Sequence, residues 1–197
     1  TDPFVKKTFS SLIAQVFKRY KTTETSVMLD KLKDLGFKYS TIAGISISMS
    51  DVIESKQKGQ IIADTQSKVD KVNKQFQRGL ITEDERYKTV CSLWAKATSD
   101  ISQELQTIAK ENMMNPIFMM MNSGARGSAN QFNQLAGMRG LIAKPTGETI
   151  EIPVKSNLIE GCNVTEFFIG TRGGRKGIVD TALRTADSGY LTRRLVD

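Results

Sequence analysis

Residues 61–78 read IIADTQSKVDKVNKQFQR, and residues 87–108 read YKTVCSLWAKATSDISQELQTI. In the first stretch Ile61, Thr65, Val69, Val72 and Phe76 step by 4, 4, 3 and 4. In the second, Tyr87, Val90, Trp94, Ala97, Ile101, Leu105 and Ile108 step by 3, 4, 3, 4, 4 and 3. Such spacing keeps the apolar side chains on one stripe of a helix, as in coiled coils. The break from Arg78 to Glu85 holds a turn glycine, Gly79. Thr82 followed by Glu85 is a capping-box pattern that opens a helix, and acidic side chains in a first turn complement the helix dipole. Two stripes joined by a short turn predict an antiparallel helical hairpin. Residues 61–120 carry eight basic and eight acidic side chains, interspersed, which suits a hairpin projecting into solvent. Its apex would expose Leu80 and Ile81 beside Glu83 and Asp84. That cluster either staples the turn or offers a protein-docking point.

Working outward, residues 4–21 read as an amphipathic helix, with Phe4, Phe9, Leu12, Ile13, Val16, Phe17 and Tyr20 at helical steps. Thr25 to Leu35 reads as a second helix capped by Gly36. Residues 37–50 alternate over Ile45-Ser46-Ile47-Ser48-Met49, as a short strand or a loop–helix join. On the C-terminal side, Met113, Met114, Met119, Met120 and Met121 read as adaptable core filler. Thr149-Ile150-Glu151-Ile152-Pro153-Val154 reads as a strand at a sheet edge, because proline lacks the ladder N–H. Residues 164–196 are rich in helix formers around Gly173-Gly174-Arg175-Lys176-Gly177. Local propensity makes that glycine run a turn between helices. The predicted fold class is mainly α: a small helical base, a long antiparallel coiled-coil hairpin, a minor β element near 149–154 and a long C-terminal helix.

The 197 residues contain no histidine and two cysteines, Cys91 and Cys162. Without His, Ser-His-Asp and Cys-His hydrolysis are excluded within this chain, and the commonest metal ligand is missing. Two distant cysteines make neither a zinc ribbon nor a disulfide scaffold, so a cytoplasmic location is expected. Asn163-Val164-Thr165 matches a glycosylation acceptor pattern, discounted on that expectation. No apolar run reaches the roughly 18 residues of a membrane helix. The start at Thr1 rather than Met reads as a processed or excised chain. The net charge is +7, and residues 170–197 hold six basic against three acidic side chains. This points to a polyanionic partner, or to no more than a modestly basic surface.

Ser123-Gly124-Ala125-Arg126-Gly127-Ser128 is a small-residue loop whose backbone N–H groups and single Arg suit a phosphate. The Gly173–Gly177 run lacks Walker spacing. No paired carboxylates stand at a spacing that serves metal or acid/base chemistry.

Three longer strings go further. They are Asn122-Ser-Gly-Ala-Arg-Gly-Ser128, Gln134-Leu-Ala-Gly-Met-Arg-Gly140 and the run from Gly174 (GRKGIVDTALRTADSGYLTRRLVD) to Asp197. Together and in order they closely resemble the beta-prime, or largest-subunit, family of bacterial multisubunit RNA polymerases. The resemblance is nearly continuous over 113–197 and looser over the hairpin. It implies that residues 1–50 are the end of a pore domain and 51–112 the secondary-channel rim hairpin, or funnel. Residues 113–162 would be an active-site loop region, and 163–197 the bridge helix.

By the same resemblance, Arg126 contacts the triphosphate of the incoming nucleotide. A guanidinium is permanently charged and forks onto phosphate oxygens. Thr185 and Ala186 would face the template base, and Arg193 and Arg194 would make backbone-phosphate or structural contacts. Gly173, Gly174 and Gly177 would be helical, forming a bridge-helix hinge. Each costs about 1 kcal/mol relative to Ala, which makes sense where a helix bends. Leu80, Ile81, Glu83 and Asp84 would dock Gre-type secondary-channel factors. The implied partners are the beta, alpha and omega subunits, with DNA template, RNA and nucleoside triphosphate in the full enzyme, and no membrane. The family's Mg²⁺-holding Asp-rich loop, its trigger loop and its zinc sites lie outside these residues. No cofactor and no catalytic residue is therefore expected here, and the chain alone is expected to be inactive. Arg172 stands where many relatives carry His. Without cleft contacts, the bridge-helix segment is expected to distort at its glycines. The alternatives are a stand-alone coiled-coil interaction module and an independent nucleic-acid-binding protein using the basic C-terminal helix.

Overall fold

The computed structural model describes residues 5–197, so Phe4 of the first predicted stripe lies outside the described residues. The two predicted hairpin stripes form α2 (Lys58–Gln77) and α3 (Glu83–Glu111). The capping box is made as the sequence predicts: Thr82 N–H donates to Glu85 and Glu85 N–H donates to the Thr82 hydroxyl. The helices run antiparallel. Glu104 of α3 accepts from Gln57 at the start of α2, while Arg86 near the start of α3 reaches Asn73 near the end of α2. Val90, Trp94, Ala97, Ile101 and Leu105 are all buried, as are Thr65 and Val69 opposite them.

The chain divides into two compact units. One comprises Glu54–Leu105 with Asn133–Asp197. In this unit the hairpin does not stand free in solvent, as its neutral charge suggested. Residues 137–155 cover its flank. Thr98 lies 3.9 Å from the sulfur of buried Met138, and Tyr87 donates to the Thr149 carbonyl at 2.7 Å. The Lys155 ammonium sits 5.2 Å from the centre of the Trp94 ring. An apolar α3 stripe wider than α2 alone can cover needs this second partner. Each large side chain it buries contributes about 1.5–3 kcal/mol.

The covering segment meets the β prediction only in reduced form. Gly140 and Val154 form one isolated antiparallel bridge, and Ala143 and Thr149 another. Between them the chain advances three residues on one side and five on the other, so no continuous ladder forms. Pro153, which has no N–H to donate, sits in the longer stretch.

α6 (Val164–Val196) is one uninterrupted helix, which overturns two expectations. Gly173–Gly177 is neither a turn nor a site of distortion. The helix is started by a reciprocal capping box, Asn163 with Glu166, and its N-terminal part is anchored by buried Ile169 and Gly170. Continuous backbone hydrogen bonding and that anchor outweigh a glycine penalty of about 1 kcal/mol per residue.

The other unit comprises residues up to Ile53 together with Gln106–Phe132. α1 (Lys6–Ala43) is broken at Lys21, whose φ of 61° and ψ of −161° are not helical. The two predicted N-terminal helices are thus present, separated at Lys21. The second runs past Gly36 to a left-handed cap at Gly44. Residues 45–48 are loop, not strand, and lead into a short 3-10 turn, Met49–Asp51. α4 (Pro116–Ser123) begins with Asn115 as N-cap and Pro116 at its first position. α5 (Ala129–Ala136) follows. Phe118 and Phe132 meet edge to face at 4.9 Å. The methionine cluster is core only in part: Met113, Met114 and Met119 are exposed, since α3 ends at Glu111 and Met113 and Met114 fall on the turn that follows, whereas Met120 and Met121 are half-buried.

Candidate functional site

Arg126 lies in the connection between α4 and α5. α4 ends at Gly124 in the left-handed region, φ 73°, with its N–H on the Met121 carbonyl. The Arg126 N–H reaches the Met120 carbonyl at 3.5 Å, and the Ala125 N–H the Ser123 hydroxyl at 3.4 Å. Ser128 N–H donates to Gln131, whose own N–H donates back to the Ser128 hydroxyl and so caps α5. The loop thus spends the N–H groups of Gly124, Ala125, Arg126 and Ser128 internally. They do not form the backbone phosphate cradle that the string of small residues suggested. What the loop offers a phosphate is the exposed Arg126 guanidinium, held between two helix ends.

On α6, Thr185 and Ala186 are exposed, and the Thr185 hydroxyl bonds back to the Thr181 carbonyl. Arg193 lies 3.5 Å from Asp197, and Arg194 sits over the Tyr190 ring at 5.7 Å. Both guanidinium groups remain accessible. Gly174 and Gly177 face open space, whereas a Cβ on Gly173 would lie 3.1 Å from Ile142. Phe167, Phe168, Ile178, Leu183, Tyr190 and Leu195 are all exposed along the same helix.

At the hairpin apex Leu80 is 69% exposed, Ile81 partly so, and Glu83, Asp84 and Glu85 are exposed. Arg86, directly behind them, donates to Glu83 and to Glu151 at 2.5 and 2.8 Å and lies 5.5 Å from the Phe76 ring centre. The hydrogen bond from Arg86 holds the Glu83 carboxyl below its ordinary range. Bonds from the Thr82 N–H and hydroxyl do the same for Glu85. Both sets of bonds favour the ionised form of these two carboxyls.

Sequence reading missed the anchor of α6. Asn163-Val164-Thr165-Glu166 is a capping-box string as well as a glycosylation pattern, and the cap is what it builds. Glu166 also accepts from the N–H groups of Lys155 and Ser156 and from the Ser156 hydroxyl. Partial burial pushes this carboxyl up, but the hydrogen bonds from Ser156, Asn163 and Lys155 outweigh it and hold it below the ordinary value. Among the described residues, no group of three or more His, Cys, Asp or Glu gathers in a metal-holding arrangement. No helix among them is long and apolar enough to cross a membrane.

A capped hairpin, an arginine loop and a long glycine-containing helix follow one another in this chain, and known proteins share that order. Family profiles of RNA polymerase Rpb1 match it in register: domain 3 over residues 1–52, domain 4 over 81–159 and domain 5 over 161–197. The chain belongs to this largest-subunit family of multisubunit RNA polymerases. Its relatives include the DNA-directed RNA polymerase subunit beta' of Bacillus cytotoxicus, 58% identical over 195 residues, which are 99% of this chain and 16% of the relative. The same subunit of Lysinibacillus sphaericus is 58% identical over 196 residues, or 100% of this chain and 16% of the relative. That of Bacillus anthracis is also 58% identical over 195 residues. The chain spans about a sixth of the length of these relatives. Identity that runs through hairpin, loop and α6 alike does not favour a stand-alone interaction module.

Proposed function

We propose that this chain acts in transcription as part of a DNA-directed RNA polymerase. In that role it lines the path of the incoming nucleotide and presents a helix to the template. The observation that carries this is 58% identity over 99% of the chain to a beta' subunit. The chain's own contribution is positioning. Arg126, exposed on a loop whose backbone donors are mostly spent, binds the triphosphate of the incoming nucleotide through its guanidinium. Thr185 and Ala186 present a small, largely apolar surface to the template base. Arg193 and Arg194 meet nucleic-acid phosphates, contacts that weaken as salt rises. The beta, alpha and omega subunits would cover the apolar side chains that α6 leaves exposed.

The hairpin apex serves as the docking point for Gre-type factors. Leu80 and Ile81 supply apolar contact, and Glu83 and Asp84 select a basic partner surface.

The test is Arg126→Ala in a complete polymerase carrying this segment. The apparent KM for nucleoside triphosphates should rise, or kcat/KM fall. Unchanged kinetics would remove the triphosphate role. Capture of a Gre-type factor should be lost on Leu80→Glu, and retained capture would remove the apex from that role.

A further inference from the structure

Lys58 is the first residue of α2, and its side chain is only 8% exposed. Both facts run against local preference. An ammonium at a helix N-terminus opposes the helix dipole, and a buried ammonium loses its hydration. The first turn of α2 also lacks an acidic residue of its own and a side-chain cap from Gln57.

Tertiary partners account for the placement. Glu104 of α3 accepts from the Ser55 hydroxyl and from Gln57 N–H, bringing a negative charge to the α2 N-terminus. Ser55 in turn accepts from Lys58 N–H at 3.1 Å. The Lys58 ammonium meets Glu160 at 2.5 Å. Glu160 also accepts from Asn157 N–H, and the buried Asn157 side chain accepts from the N–H groups of Ile159 and Glu160 while donating to the Ala136 carbonyl. Immediately before this turn, Lys155 and Ser156 bond to Glu166. Immediately after it, Asn163 caps α6.

Only the Lys58 side of this pair is buried, with Glu160 41% exposed, and such a pair adds little net stability compared with an apolar contact of the same size. What it does is demand its counter-ion at one fixed point. We propose that Lys58 is a positioning residue that fixes the α6 N-terminus relative to the hairpin base, through Glu160 and the 155–160 turn. A shift of the first turn of α2 is thereby transmitted to the start of the long helix. This deepens the reading of α6 as the template-facing helix and rests on it. The hairpin that docks a regulator and the helix that meets the template share one hydrogen-bonded joint.

The test is backbone hydrogen exchange on the full 197-residue chain, compared across variants. Lys58→Met, which keeps the length and removes the charge, should speed exchange of residues 155–172 by about tenfold or more, while residues 88–100 in the middle of α3 change little. Lys58→Arg should restore the slow exchange, as should the exchanged pair Lys58→Glu with Glu160→Lys. Equal acceleration of both segments, or no rescue by either, would overturn the proposal and leave Lys58 a general stability residue. Should Lys58→Met fail to fold, Glu160→Gln, at a partly exposed position, must show the same selective acceleration. If it leaves residues 155–172 unchanged, the proposal is wrong. The readout needs no nucleotide or template, so loss of this coupling and loss of the transcriptional reading are separate results.

Discussion

A Cβ placed on Gly173 would stand 3.1 Å from the Cγ2 of Ile142, whereas one on Gly177 would meet nothing within 4 Å. Two glycines of one helical turn thus have different reasons to be glycine. At Gly173 the backbone of α6 closes on the covering segment. At Gly177 the residue only loosens the helix. Ala in a helix interior is favoured over Gly by about 1 kcal/mol. Gly177→Ala should therefore raise the stability of the α6 region of the isolated chain by about that amount. Gly173→Ala should gain clearly less or lose, because Ile142 must move. Exchange protection of residues 170–180 distinguishes the two. Equal gains would mean that Gly173 is not a packing position.

Ile101 and Leu105 are the centre of the α3 stripe, with 0% and 2% exposure. Truncation there removes apolar contact on a face packed from two sides. Ile101→Ala should cost about 2–5 kcal/mol in urea unfolding. Ser99→Ala, on the exposed side of the same helix, should stay within about 0.5 kcal/mol.

Arg86 joins Glu83 on its own helix to Glu151 on the covering segment. Arg86→Met keeps much of the stem over Phe76 and removes both pairs. It should lower the urea midpoint by the equivalent of about 1 kcal/mol, since Glu151 is partly exposed and such pairs are screened. Glu83→Gln should have a smaller effect than Glu151→Gln, and both effects should shrink in high salt. A salt-independent loss would assign the Arg86 contribution to packing on Phe76.

Glu166 should contribute to the acid sensitivity of the α6 N-terminus. Its folded-state value lies below the ordinary 4.5 because hydrogen bonds to its ionised form outweigh burial. A depressed value contributes stability that is fully present above the unfolded value and is lost as pH falls through the folded one. Protection of residues 163–170 should therefore hold down to about pH 4.5 and decline below it. Glu166→Gln should be less protected at neutral pH and lack that decline. An identical acid profile in the variant would shift the effect to other carboxylates.

Asn163→Ala removes the N-cap of α6 and should cost about 1 kcal/mol. Asn163→Asp should retain the cap. Faster exchange limited to the first two turns of α6 is the expected signature. No change would mean that Glu166 alone holds the helix start.

The hairpin was legible because periodicity and capping are local. Steps of three and four put Val90 to Leu105 on one stripe whatever else the chain does, and Thr82 with Glu85 can cap only the helix they begin. Family membership was legible from Arg126 and its neighbours and from the run after Gly174, as ordered strings of residues. The state of α6 was not. Gly173, Gly174 and Gly177 read locally as a turn, and only the burial of Ile169 and Gly170, with Arg139 and Ile142 of the covering segment close against Gly170 and Gly173, shows why the helix continues. Nor could periodicity say that the hairpin's outer flank is occupied. That depends on Met138, Thr149 and Lys155, some forty or more residues beyond the α3 positions they meet. The Lys58–Glu160 pair, 102 residues apart, has no sequence signal at all beyond a cation where the helix dipole disfavours one. The sequence by itself determined the helices, their caps and the family, since these follow from neighbours within a few turns or from exact strings. Tertiary structure alone decided which glycine packs, which loop N–H groups are already spent and where the buried ammonium finds its partner. These depend on what distant segments bring within 4 Å.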